Sequence, residues 1–153
     1  MSDQPAMNME DWAKGIPLAA GDWAFGIWQP SPEAADFWKG VAKRELLLKH
    51  CAGCGLLQHP KRIICTACGS EDLGWQRAAG TGKAYSFSEI HRPPTPMFEP
   101  SVPYTVGMVR LDEGVVLFSR LIAEPGPIAI DAPAKVDFRV LELGALLPVF
   151  LIG

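Results

Sequence analysis

The sequence predicts a mostly β protein: a short N-terminal helix, a rubredoxin-like zinc ribbon, then a five-stranded OB-type barrel. Three observations predict this. Four cysteines fall into two CxxC pairs, Cys51/Cys54 and Cys65/Cys68, each followed by a glycine. After Gly80 the hydrophobic pattern turns to period two in short runs, the signature of strands. The 153 residues include 15 Gly and 14 Pro, which favour many turns over long helices. The resulting division is an irregular aromatic-rich segment over 1–30, a helix over 31–46, the ribbon over 47–78 and the barrel over 79–153.

In the first segment Gly15, Pro17, Gly21, Gly26 and Pro30 interrupt every periodic run. Trp12, Trp23, Phe25 and Trp28 are concentrated there. Such aromatics either pack back on the fold or dock into a partner protein, where tryptophan is a favoured anchor. Ser31-Pro32-Glu33 reads as a helix start, with Ser as N-cap, Pro at the first helical position and an acid in the first turn. The helix is expected to run to about Arg44, with Phe37, Trp38 and Val41 on one face. Leu46–His50 then leads as a short strand into the first cysteine pair.

The cysteine spacing has a physical reason. Two thiolates three positions apart, followed by a glycine in a left-handed turn, put both sulfurs on one side of a tight knuckle. The ten residues between the pairs are enough to bring a second knuckle back over the first. Four thiolates complete a tetrahedron around zinc and leave no position for a catalytic water, so the ion is expected to be architectural. A rubredoxin-like iron or a redox-active dithiol pair would use the same four residues. His50 and His59 flank the knuckles but are surplus to a complete four-cysteine set.

Beyond the ribbon, Gly80-Thr81-Gly82-Lys83 superficially suggests a phosphate loop, yet Arg77 and Ala84 occupy positions where that pattern needs Gly and Ser or Thr. A glycine pair opening a strand marks a tight turn or a bulge instead. TGKAYSFSEI alternates, with Tyr85 and Phe87 expected on one side and Ser86 and Ser88 on the other. Tyr104–Leu111 and Val115–Ile122 read as a hairpin joined by Asp112-Glu113-Gly114. Val136–Leu143 and Leu147–Ile152 supply two more strands. Five short strands with a proline-rich loop over Pro93–Pro103 fit an OB-type barrel, and a β-sandwich satisfies the same pattern.

A net charge of −3 and pI near 5.6 weigh against a phosphate-backbone ligand. The acidic N-terminus lacks the features of a signal peptide and no apolar run is long enough to span a bilayer, so a cytoplasmic protein without membrane attachment is expected. Closely spaced cysteine pairs suit a metal site in a reducing compartment. No nucleophile elbow, metalloprotease helix or dinucleotide fingerprint occurs. His91 stands on a loop with no acid partner recognisable from sequence, and Glu89, Glu99, Asp112 and Glu113 read as surface acids. No catalytic residue is assigned. Lys61 and Arg62, after Pro60 between the knuckles, form either a solvated turn or an anchor for coenzyme A phosphates.

The ordered series of motifs resembles the zinc-ribbon/OB-fold proteins found beside thiolases and related acyl-CoA enzymes, long grouped as a domain of unknown function. The features that carry it are Asp36-Phe37-Trp38, the two knuckles, Pro60-Lys61-Arg62, Gly80-Thr81-Gly82, Pro103 and Asp112-Glu113-Gly114. They span roughly residues 33 to 143; the first 30 residues lie outside the pattern. Ile130-Asp131-Ala132-Pro133 departs from it where the family commonly has a glycine-containing turn. The resemblance implies a non-catalytic accessory subunit of a thiolase-like or acyltransferase partner, in a hetero-oligomer that supports the partner's acyl-CoA site. The competing reading is a single-strand nucleic-acid module, which requires a basic groove with exposed aromatics on barrel strands two and three. The hairpin over 104–122 carries only Arg110 and Arg120 as bases, against Asp112 and Glu113.

Overall fold

The computed structural model describes residues 31–94, 96–123, 126–142 and 146–153. Trp12, Trp23, Phe25 and Trp28 lie outside the described residues. Among the described residues one α-helix, α1 (Ala35–Ala42), precedes eight strands: β1 (Leu47–Cys51), β2 (Leu57–Gln58), β3 (Leu73–Arg77), β4 (Thr81–Ile90), β5 (Tyr104–Leu111), β6 (Val116–Ala123), β7 (Pro133–Val140) and β8 (Leu146–Ile152). They form two sheets. The ribbon sheet has the order β2-β1-β3 and the second sheet closes as β4-β5-β6-β8-β7. Pairing is antiparallel throughout except for β6 with β8, which is parallel. That order is the Greek-key closure of an OB barrel, and closure removes the unpaired edges of an open sheet.

The helix starts later than the sequence suggests. Ser31 makes no side-chain cap bond, because Pro32–Ala34 first forms a 3-10 turn closed by the Ala34 N–H on the Ser31 carbonyl at 2.9 Å. It ends at Ala42, short of Arg44, in a Schellman closure: the Glu45 N–H bonds the Gly40 carbonyl and the Arg44 N–H bonds the Val41 carbonyl. Arg44 holds the left-handed position at φ 61° that glycine usually fills. Its guanidinium in turn donates to the Phe138 carbonyl at 2.9 Å, tying the helix end to β7.

Phe37 and Val41 from α1, Leu46 and Leu48 leading into the ribbon, and Val109, Leu111, Leu121, Phe138 and Phe150 from the barrel form one buried cluster, with Trp38 packed against it. The ribbon's base and the barrel therefore share a single core. Strands β4 and β5 approach closely where they cross. A β-carbon on Gly82 would stand 2.3 Å from the Arg110 carbonyl oxygen, and one on Gly107 would stand 2.1 Å from that of Ser86. Gly80 turns the chain into β4 at φ +79°, so the glycine pair serves a tight strand start, as the spacing suggests.

Two barrel details differ from the sequence expectation. The alternation along β4 breaks at a bulge: Ala84 pairs with Val109 and Ser86 with Met108, leaving Tyr85 without a register partner. Strand β7 begins at Pro133 instead of Val136, since Pro133–Lys135 pair with Lys83–Thr81 to close the barrel. The turn before it uses Asp131 at φ 62°, with its N–H on the Ala84 carbonyl. Asp is among the few non-glycine residues that tolerate this conformation, which accounts for the missing glycine.

Candidate metal centre and its surroundings

Strand β1 delivers Cys51 at its end, and the chain then folds into two near-identical knuckles. In the first the Gly55 N–H bonds the Cys51 carbonyl at 2.8 Å; in the second the Gly69 N–H bonds the Cys65 carbonyl at 2.9 Å. Both glycines are left-handed, at φ 79° and 75°. The Cys51 N–H to Leu56 carbonyl and Cys65 N–H to Ser70 carbonyl bonds repeat the same geometry. All four sulfurs lie within 4.8 Å of one another. Cys51 Sγ is 3.6 Å from Cys68 Sγ, and Cys54 Sγ is 3.6 Å from Cys65 Sγ. A tetrahedral zinc with Zn–S bonds of about 2.3 Å needs sulfurs about 3.8 Å apart. The cluster therefore fits a structural zinc-ribbon site. His50 and His59 are not part of it.

The thiols do not titrate alike. N–H groups of Cys68 and Ala67 bring Cys65 down to about 6, so a thiolate stands ready at neutral pH. At Cys54 the Leu56 N–H favours the thiolate, but hydrogen bonding to Cys65 and burial push it up to about 12. A dication bound by four thiolates relieves this crowding of protons among neighbouring sulfurs. Cys51 and Cys65 are buried whereas Cys54 and Cys68 are exposed.

The loop between the knuckles is held from below. The buried Gln58 carboxamide accepts from the Thr66 N–H at 3.2 Å and the Thr66 hydroxyl at 3.3 Å, and donates to the Ile64 carbonyl at 3.4 Å. His59 Nδ1 accepts from the Lys61 N–H at 3.2 Å. Burial, with Arg62 and Lys61 nearby, lowers the His59 pKa and keeps the ring neutral. Lys61 and Arg62 project into solvent beside Ile63, which is 70% exposed.

Other sequence assignments change. His91 is not isolated, since its Nε2 lies 2.6 Å from Glu89 Oε1; both are exposed, Glu89 on β4 and His91 just after it. Asp112 and Glu113 are latches rather than free surface acids. Glu113 Oε1 accepts the Ala79 N–H at 2.7 Å and Asp112 Oδ2 accepts the Thr81 hydroxyl, fastening the hairpin turn to the start of β4. Sequence spacing gives no sign of this, because the partners lie more than thirty positions apart. Among the described residues no helix is long and apolar enough to cross a membrane.

Residues 38–74 match the family described as the ChsH2 rubredoxin-like zinc ribbon domain, and residues 75–139 match the ChsH2 C-terminal OB-fold domain. The chain belongs to the ChsH2/DUF35 family. It is 32% identical to a DUF35 domain-containing scaffold protein of Methanothermobacter thermautotrophicus, over 70% of this chain and 82% of that one. It is 41% identical to a Thermomonospora curvata protein named "Probable enoyl-CoA hydratase alpha subunit", over 74% of this chain. This family member spans about a third of that relative's length, 36%. In the solved structure of Ltp2-ChsH2(DUF35) aldolase, one chain matches with 36% identity and a TM-score of 0.70, covering 80% of this chain and 95% of that one.

Proposed function

We propose that this protein is a non-catalytic scaffold subunit of an acyl-CoA enzyme complex in the cytoplasm, and that its catalytic partner is a thiolase-like or acyltransferase protein. The observation that carries this reading is the near-complete coverage of a chain from Ltp2-ChsH2(DUF35) aldolase. The site chemistry agrees with it. All four cysteines converge on one cluster, so each thiol is committed to a closed metal shell and none is left as a nucleophile. The ion is zinc, held by Cys51, Cys54, Cys65 and Cys68; when bound it braces the two knuckles. Hydratase chemistry is not assigned to this chain, which matches only a third of the hydratase subunit.

On this reading Lys61 and Arg62, displayed on a loop that Gln58 holds in place, meet the phosphates of a coenzyme A bound mainly by the partner. Trp12, Trp23, Phe25 and Trp28 add anchors for the partner protein. The test is co-expression with a thiolase-like protein, size exclusion, and assay of the partner with and without this chain. Co-elution with a gain in partner activity is expected; separate elution with unchanged activity refutes the reading. Replacing Lys61 and Arg62 by Ala is expected to raise the partner's KM for acyl-CoA about tenfold, and an unchanged KM removes the phosphate anchor.

A further inference from the structure

The outward face of β4, β5 and β6 carries an apolar patch that a solvated barrel does not need. Met108 and Phe118 stand directly opposite each other across β5 and β6, and Ser86 stands opposite Met108 on β4. Phe118 is 67% exposed, Tyr85 46% and Met108 41%. Two positions along the same face, Lys83 pairs with Arg110, and the Arg110 guanidinium lies 4.3 Å over the Tyr85 ring. The bulge at Tyr85 makes that stack possible, by adding a residue to β4 between Ala84 and Ser86. Bulges commonly re-aim a side chain in this way.

The neighbouring strand pair, β5 and β6, holds a second arginine–tyrosine stack, and the contrast is informative. Arg120 lies 4.0 Å over Tyr104 but is neutralised by Glu142 and is only 15% exposed. Arg110 has no carboxylate partner among the described residues, and neither has Lys83. One stack is a closed structural unit. The other is left with its charge at the rim of an exposed aromatic and methionine patch, the composition of an interface centre with a polar edge.

We infer that this face, built on Tyr85, Met108, Arg110 and Phe118, docks a protein surface with an apolar depression rimmed by carboxylates, and that the thiolase-like partner supplies it. The inference rests on the scaffold reading and names the surface it uses. Charge argues for the occupant. A second copy of this chain would bring Arg110 and Lys83 against their own kind, and like charges across an interface suppress that pairing. A nucleic acid would find two unpaired cations here, too few for a groove that tracks phosphates.

The test uses the zinc-loaded 153-residue chain, with immobilised Ltp2 aldolase as the probe. Phe118→Ser and Arg110→Glu change exposed side chains, and Ile130→Ser, at another exposed apolar position, is the control. Phe118→Ser is expected to weaken binding at least tenfold through faster dissociation. Arg110→Glu is expected to slow association and flatten its salt dependence, with Ile130→Ser binding as the wild type does. Circular dichroism and zinc content of each variant establish that the fold is kept. Wild-type binding that neither substitution changes overturns the inference and leaves the scaffold reading standing. No wild-type binding overturns the scaffold reading, and the inference with it. A wild-type dimer that Phe118→Ser converts to monomer, or single-stranded DNA binding that Arg110→Glu abolishes, assigns the face to another occupant and also overturns it.

Discussion

Removing the metal should unfold the ribbon while leaving the barrel intact. Between the end of β1 and the start of β3, residues 52–72, the only buried residues are Gln58, Pro60 and Cys65. The half-buried Leu57 packs against the shared core from this segment, and it is too little to offset chain ordering. Fixing these twenty-odd residues costs on the order of 20 kcal/mol at about 1 kcal/mol each. Four-thiolate zinc binding contributes about 10–16 kcal/mol. Hydrogen bonds such as Ala52 N–H to the Asp72 carbonyl and Cys65 N–H to the Ser70 carbonyl add about 1 kcal/mol apiece and bring the balance near zero. Without the ion the deficit is on the order of 10 kcal/mol, so the segment opens. The barrel does not follow, because the fully buried part of the shared core enters the ribbon through Leu46 and Leu48, ahead of the first knuckle, and Leu57 and Trp75 only pack against its edge. The assay is hydrogen exchange read by mass spectrometry, on chelated wild type and on Cys65→Ser, with metal content measured in parallel. Fast exchange over 52–72 with retained protection in β4–β8 is expected. Protection of the ribbon in protein shown to be metal-free would refute the reasoning.

Two further predictions concern the barrel. Gly107→Ala sets a β-carbon 2.1 Å from a backbone oxygen of β4, which only strand separation relieves, so a loss of about 3 kcal/mol or more is expected in urea denaturation. Gly114→Ala meets no atom within 4 Å and costs only about 1 kcal/mol for its positive φ; equal losses for the two would refute the close-approach argument. At Glu142 burial raises the carboxyl pKa, but the Ser101 hydroxyl and Arg120 outweigh it and hold it below the ordinary 4.5. A depressed carboxyl stabilises the fold fully above its unfolded value and loses that contribution as pH falls through the folded one. Glu142→Gln should therefore cost about 1–3 kcal/mol at pH 7 and progressively less below pH 4.5, measured as the urea midpoint of both proteins against pH. A difference independent of pH would exclude the ion pair as its source.

Much of the fold is legible in local sequence because its signals are local. The knuckles follow from CxxCG, the β5–β6 hairpin from alternation around Asp-Glu-Gly, and the strand start from Gly80 and Gly82. Signals whose partner lies far along the chain were invisible. Barrel closure recruits Pro133–Lys135 into β7 through pairing with β4, about fifty residues earlier. Glu113 looks like a surface acid until Ala79 is brought to it, and Arg120 is silenced by a glutamate 22 positions away.

The amino-acid sequence by itself determined the four-cysteine cluster and the class of fold, since four sulfur donors at fixed short spacings and period-two hydrophobicity act through nearest neighbours. Only the tertiary structure decided which outward side chains share a face and which charges remain unpaired. Cross-strand register and the bulge at Tyr85 put Phe118, Met108 and Arg110 together, and register depends on pairings between distant strands.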